Sequence, residues 1–266
     1  MSHSEQINHQ TSLKISKKIL VAEDGLLNQV LVKNLLEAWD CDVDIAENGL
    51  EALNKVIDTD YDLVLMDIQM PVMDGLTATR EIRSLAKPGK SNLLILAFTS
   101  VDYGDIAKYR EAGMNDYIIK PYTEENLYSK ITNLLAGNNV VRSDHEHQDE
   151  NLIKSKKPKL YDLAMIEMIG KNNDAFTSKM IVMFIDIVTQ DFNKLKEEAA
   201  KENWVAVGQY AHKMKSTLAN MSVSSALGFI SSLETQSGEP LNQIKLLEAE
   251  IAQVTSQIKS DFPHLF

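Results

Sequence analysis

Residues 61–75 read Y-D-L-V-L-M-D-I-Q-M-P-V-M-D-G. Within them Leu63-Val64-Leu65-Met66 is apolar without a break, which suits a strand buried on both faces of a parallel sheet. The run stops at a carboxylate, Asp67, and beyond it Pro71 and Asp74-Gly75 are loop and turn residues that end the strand. A charged side chain therefore stands at the carboxyl end of a central strand, where open α/β sheets bind their ligands. A lone Asp in this place would read as a helix or turn cap. The other strand ends decide otherwise.

Upstream, Ile19-Leu20-Val21-Ala22 is a second apolar run that ends in acids, Glu23-Asp24. Val30, Leu31, Leu35 and Ala38 then fall at helical spacing, Val43-Asp44-Ile45-Ala46 alternates like a strand, and Leu50, Leu53, Val56 and Ile57 mark another helix. Downstream of Asp67, residues 76–85 read as a helix and 93–98 as a buried strand ending in Thr99-Ser100. Residues 106–111 form a helix closed by Gly113. Tyr117-Ile118-Ile119 is a last strand ending at Lys120-Pro121, and 124–135 a last helix. Five strands alternating with five helices predict a parallel sheet covered on both faces, with right-handed crossovers. Because parallel strands point one way, Glu23, Asp24, Asp67, Thr99 and Lys120 are expected along one edge.

Composition bounds the function. With 266 residues, 44% hydrophobic and 24% charged, the chain is long enough for two domains with their own cores. No apolar run approaches the ~20 residues needed to span a bilayer, and residues 1–10 lack the apolar core of a secretion signal. A cytoplasmic protein without a membrane partner is expected. The net charge of -11 opposes nucleic-acid binding, and Arg142 is the last arginine, so no nucleic-acid partner is expected. Cys41, the single cysteine, allows no intrachain disulfide.

Glu23-Asp24, the D-I-Q-M-P-V-M-D-G loop, Thr99 after a hydrophobic strand, Lys120-Pro121 and A-E-N-G-L-E-A at 46–52 occur in order, each of the first four at a strand end. Residues 17–136 closely resemble a response-regulator receiver domain. That resemblance implies a flavodoxin-like sheet of order 2-1-3-4-5 and a phosphoryl group taken by Asp67 as an acyl phosphate. It further implies Mg²⁺ held directly by Asp24, Asp67 and the Gln69 backbone carbonyl, with Glu23 acting through water. Lys120 and Thr99 would bond phosphoryl oxygens, Tyr117 would be the switch aromatic coupled to Thr99, and the Lys120-Pro121 bond would be cis. On physical grounds alone, three gathered carboxylates repel and raise one another's pKa unless a cation neutralises them, and an all-oxygen set suits Mg²⁺.

Periodicity disappears over residues 137–159, which read as a polar tether with a reach of roughly 25–30 Å. His145 and His147 within it read as solvated linker residues rather than a metal site. The second half is helical by pattern. Leu163, Ile166 and Ile169 form a short helix, and Phe176, Met180, Met183, Phe184 and Ile187 line a long one. Trp204, Val207, Ala211, Met214, Leu218 and Met221 repeat by three and four, placing His212 about 120° from the middle of that buried stripe. His212 is thus expected on an open surface between the small residues Gly208 and Ser216, with Lys215 one turn on. No carboxylate lies within residues 208–222, so the histidine is expected to carry little machinery of its own.

The segment A-H-K-M-K-S-T-L-A-N-M-S at 211–222 looks like the signature of a histidine phosphotransfer domain, with E-E-A-A-K-E-N-W-V-A-V-G before it and A-L-G-F-I-S-S-L-E after it. Ser216 and Ser222 stand where that family commonly has glycine. The two resemblances imply a polar tail (1–16), a receiver domain (17–136), a flexible linker (137–159) and a four-helix-type phosphotransfer bundle (160–266). They imply a two-component phosphorelay intermediate with two phosphoacceptors, Asp67 and His212, assisted by Lys120, Thr99 and Lys215. It would be a phosphotransfer protein rather than a multiple-turnover enzyme. No ATP-binding kinase domain is recognised, so the expected partners are a sensor histidine kinase and another receiver, with intramolecular receiver–bundle contact possible. Two alternatives stay open: a C-terminal piece of a hybrid sensor kinase, and a phosphorylation-gated adaptor without onward transfer.

Overall fold

The computed structural model describes residues 14–87, 89–99, 106–120, 122–137, 160–171 and 173–266. Its first half alternates β1 (Lys18–Ala22), α1 (Leu26–Ala38), β2 (Asp42–Ala46), α2 (Gly49–Asp58), β3 (Leu63–Asp67), α3 (Gly75–Ser84), β4 (Leu94–Thr99), α4 (Ile106–Ala112), β5 (Asp116–Ile119) and α5 (Glu124–Leu135). All pairings are parallel and the order is β2-β1-β3-β4-β5, as expected. Leu63, Val64, Leu65 and Met66 are fully buried, which is why β3 is apolar on both faces. Ala22 lies opposite Met66, Asp67 opposite Phe98, and Thr99 opposite Ile119, so the residues ending β1, β3, β4 and β5 share one edge.

The loop after β3 is held by close backbone approach. A Cβ at Gly75 would stand 2.0 Å from the Asp67 carbonyl oxygen, and the Gly75 N–H donates to the Ile68 carbonyl at 2.9 Å. Asp74, not Asp67, caps α3, its side chain accepting from the Thr77 N–H. Asp67 is left free for other contacts.

The second half comprises α6 (Ala164–Ile169), α7 (Asp174–Ala200), α8 (Trp204–Asn220), α9 (Ser224–Glu234), α10 (Pro240–Asp261) and a closing 3₁₀ turn, Pro263–Leu265. Helix α7 packs on α8, α8 on α9, α9 on α10, and α10 returns to α7. Val207, Ala211, Met214, Leu218 and Met221 form the buried stripe of α8, and each Leu-sized side chain so buried contributes about 1.5–3 kcal/mol.

The two halves touch. Helix α1 packs on α6, α7 and α8, and its buried residues extend beyond one sheet-facing stripe to include Asn28 and Gln29. The Asn28 side-chain carbonyl accepts a hydrogen bond from the Asn220 amide at 2.5 Å, and both residues are buried. One apolar core runs from the α1/α5 side of the sheet into the helical half, while the α2/α3/α4 side has its own. Of the expected tail, residues 1–13 lie outside the described residues. So do 138–159 of the expected linker, with His145 and His147, and Ser100 and Pro121 with the Lys120-Pro121 bond.

Candidate functional site

Glu23, Asp24 and Asp67 meet at the carboxyl edge, one oxygen from each lying within 4.8 Å of the others. Glu23 and Asp67 are buried. Glu23 is fixed from α1, its Oε1 accepting from the Gly25 N–H at 3.1 Å and the Asn28 amide at 2.8 Å. Asp67 Oδ1 accepts from the Gln69 N–H at 3.1 Å. Lys120 reaches in from the end of β5, its Nζ donating to the Glu23 carboxylate and to Asp67 Oδ2 at 2.7 Å.

The electrostatics follow from burial and crowding. Burial pushes the Glu23 carboxyl up to about 7, with Lys120 opposing and Asp67 reinforcing the shift. Burial and Asp67 together push Asp24 up to about 6, against Lys213, Lys120 and His212. Burial alone would lower the Lys120 ammonium, but Asp67 and Glu23 outweigh it and raise its pKa. With all three carboxylates ionised, the single Lys120 ammonium leaves two negative charges on hard oxygens. That donor set fits Mg²⁺, which takes few protein ligands and keeps its waters.

Thr99 is buried at the end of β4, and its hydroxyl shares a 3.1 Å hydrogen bond with the Tyr109 hydroxyl of α4. Sequence reading missed Tyr109, which periodicity marks only as one residue of a helix. Its ring lies 6.4 Å from that of Tyr117, over which Lys130 places its ammonium at 5.3 Å. Thr99, Tyr109 and Tyr117 are thus one connected group on the β4/α4/β5 side.

His212 departs from expectation in two ways. It is only 21% exposed at its side chain rather than standing on an open surface, and a carboxylate holds it: Nδ1 lies 2.5 Å from Glu234 Oε1. Lys215 donates to the other oxygen of Glu234 at 3.0 Å. The carboxylate arrives from the end of α9, 22 residues on, beyond any pattern within α8 itself. Gly208 does not open space beside the imidazole. A Cβ there would stand 3.6 Å from the Leu233 and Glu234 carbonyl oxygens, so the small residue marks where α9 crosses. Burial by itself would raise the Glu234 carboxyl, but hydrogen bonds from His212 and Lys215 carry it below its ordinary value.

One lysine from each constellation, Lys120 and Lys215, lines a cleft of about 170 Å³ between the halves, with Asn28 and Tyr122 from the first half and Ser216 and Asn220 from the second. His212 and Lys213 are close enough to act electrostatically on Asp24.

Residues 19–132 match the family model described as the response regulator receiver domain. The chain is 40% identical over 126 residues to hybrid signal transduction histidine kinase I of Dictyostelium discoideum, an alignment covering 45% of this chain and 7% of that protein. It is 28% identical over 203 residues to the signal transduction histidine-protein kinase BarA of Escherichia coli K12, covering 76% of this chain and 22% of the kinase. This chain therefore spans less than a quarter of either relative. Among solved structures, the receiver domain of a Pseudomonas aeruginosa PAO1 sensor histidine kinase, described with a magnesium ion coordinated in its active site cleft, is 34% identical. It covers 46% of this chain and 99% of its own, with a TM-score of 0.42. The parallel sheet, the acidic edge with its lysine and the family match over the same residues lead to one conclusion: residues 19–132 are a response regulator receiver domain of the two-component phosphorelay type, homologous to the receivers of hybrid histidine kinases.

Proposed function

We infer that the chain is a two-component phosphorelay intermediate, with Asp67 of the receiver and His212 of a four-helix phosphotransfer bundle as its two phosphoacceptors. The observation that supports this reading is a cleft lined from one half by Lys120, which donates to Asp67, and from the other by Lys215, which shares the Glu234 carboxylate with His212. The 203-residue alignment with BarA also exceeds the receiver match, so the likeness to that kinase runs on into the helical half. A sensor histidine kinase is the phosphoryl source this kinship favours, and another receiver the onward partner.

The chemistry divides between the halves. The Asp67 carboxylate is the nucleophile toward phosphorus, and Lys120 and Thr99 stand at the edge where phosphoryl oxygens need charge and a hydroxyl. Asp24, Asp67 and the Gln69 backbone carbonyl, with Glu23 behind them, would hold Mg²⁺, which when bound neutralises charge on the phosphoryl oxygens. At the other site Glu234 keeps a proton on Nδ1 of His212, leaving the Nε2 lone pair for phosphorus. When Asp67 attacks a phosphoryl group on Nε2, the P–O bond forms as the P–N bond breaks. The electron pair returns to a neutral imidazole that already carries its proton on Nδ1. Lys215 holds Glu234 in place. Thr99, through Tyr109, connects the site to Tyr117 and serves as the switch.

The decisive experiment supplies a phosphorylated histidine kinase domain with Mg²⁺ and follows the label in wild type, Asp67→Ala and His212→Gln. Base-labile label on Asp67 and acid-labile label on His212 are expected, with each variant losing its own site. Label that persists without both residues, or appears at neither in the wild type, overturns the reading.

A further inference from the structure

The Thr99 hydroxyl is bonded toward α4. Thr99 Oγ1 and the Tyr109 hydroxyl lie 3.1 Å apart, and both residues are buried, at 1% and 4% exposure. Asp67, where a phosphoryl group would sit, takes its own hydrogen bonds from the Gln69 N–H and from Lys120. The hydroxyl that would meet a phosphoryl oxygen is thus in use at a neighbouring helix.

The main chain on both sides of this bond is fixed. Thr99 lies opposite Ile119 in the sheet, and its carbonyl accepts from the Lys120 N–H at 2.7 Å. The Tyr109 carbonyl accepts from the Met114 N–H at 3.0 Å, in a turn that Arg83 clamps by donating to the Gly113 carbonyl at 2.8 Å. Behind it the Tyr109 ring rests near that of Tyr117, with centroids 6.4 Å apart and planes at 49°. With both backbones held, rotation about χ1 of Thr99 is the motion that redirects its hydroxyl. A β-branched side chain has few χ1 wells, so the hydroxyl chooses between discrete directions.

We propose that Tyr109 is a positioning residue for phosphoryl capture: its hydroxyl holds Thr99 Oγ1 in the direction of α4, and this hydrogen bond must break before Thr99 can donate to a phosphoryl oxygen on Asp67. This rests on the reading of Asp67 as the phosphoacceptor. The physical reason is competition for one rotor. The bond stabilises the unphosphorylated chain and is absent from the phosphorylated one, so its worth is subtracted from the affinity of the site for a phosphoryl group. Tyr109 acts through Thr99 and touches none of the reacting atoms.

Trifluoroberyllate, a tetrahedral phosphoryl mimic that bonds a carboxylate oxygen, tests this by calorimetric titration of the full chain in MgCl₂. Tyr109→Phe keeps the ring, removes the competing hydroxyl and is expected to tighten trifluoroberyllate binding about fivefold, the net worth of one buried hydrogen bond. In a Thr99→Ala background the same change should alter affinity by less than about 1.5-fold, and in Thr99→Ser, which restores a hydroxyl, the tightening should return. Melting separates this from a structural role. Tyr109→Phe should lower the melting temperature of the free chain, and the gap to wild type should close in the saturated complex, because the bond is lost there in both proteins. Affinity that is unchanged or weakened in Tyr109→Phe, equal tightening with and without the Thr99 hydroxyl, or a melting gap that persists in the complex overturns the role of Tyr109. A wild type that binds no trifluoroberyllate, or binding that survives Asp67→Ala, overturns instead the reading of Asp67 beneath it.

Discussion

Glu234 is the residue that most changes the chemistry of the second half. A histidine on a helix face is an ordinary base, whereas one whose Nδ1 faces a carboxylate at 2.5 Å has its tautomer chosen for it. Glu234→Gln is expected to slow labelling of His212 by about tenfold, the worth of one charge-assisted hydrogen bond of ~1.4 kcal/mol. Single-turnover transfer from a phosphorylated receiver measures it, and an unchanged rate would remove Glu234 from the mechanism. The same residue predicts a pH effect. Its carboxyl is held below the ordinary 4.5 in the folded chain, so its contribution to stability is present above that value and is lost as pH falls through the folded one. The melting-temperature gap between wild type and Glu234→Gln should be open at neutral pH and narrow as the pH falls below the ordinary 4.5.

At the scale of elements, two glycines show how backbone approach sets opposite outcomes for one substitution. In the β3–α3 loop, a Cβ at Gly75 would lie 2.0 Å from a backbone carbonyl that cannot retreat without moving Asp67. Gly75→Ala should cost more than about 3 kcal/mol by urea denaturation. Within α8, a Cβ at Gly208 meets only ordinary contacts at 3.6 Å. Gly208→Ala removes the helix cost of glycine and should be neutral or stabilising by up to about 1 kcal/mol. Equal losses at both positions would contradict the described packing. The alternation of strands and helices, the turn at Asp74-Gly75 and the stop at Gly113 were all legible, because each depends on residues within one or two turns of the chain.

At the scale of the whole molecule, the contact between α1 and the helical half joins two sites that lie far apart in sequence. Asn28 links them twice, through Glu23 at 2.8 Å and Asn220 at 2.5 Å. Asn220→Ala leaves a buried acceptor unsatisfied, at a cost of about 1–3 kcal/mol to docking. Small-angle scattering of the full chain should then show a larger radius of gyration than wild type, and an identical curve would mean that apolar packing alone holds the halves together. The sequence by itself determined the sheet, its order through the family likeness, and the gathering of Glu23, Asp24, Asp67, Thr99 and Lys120. Parallel strands share a direction, so residues ending them must share an edge. It also marked His212 and Lys215, one helical turn apart. Only the tertiary structure decided that Glu234 holds His212, that Tyr109 meets Thr99 and that Asn220 meets Asn28. Each of these pairs joins different elements, and their meeting depends on how helices cross, which is set by side-chain packing summed over the whole interface and leaves no periodic trace along the chain.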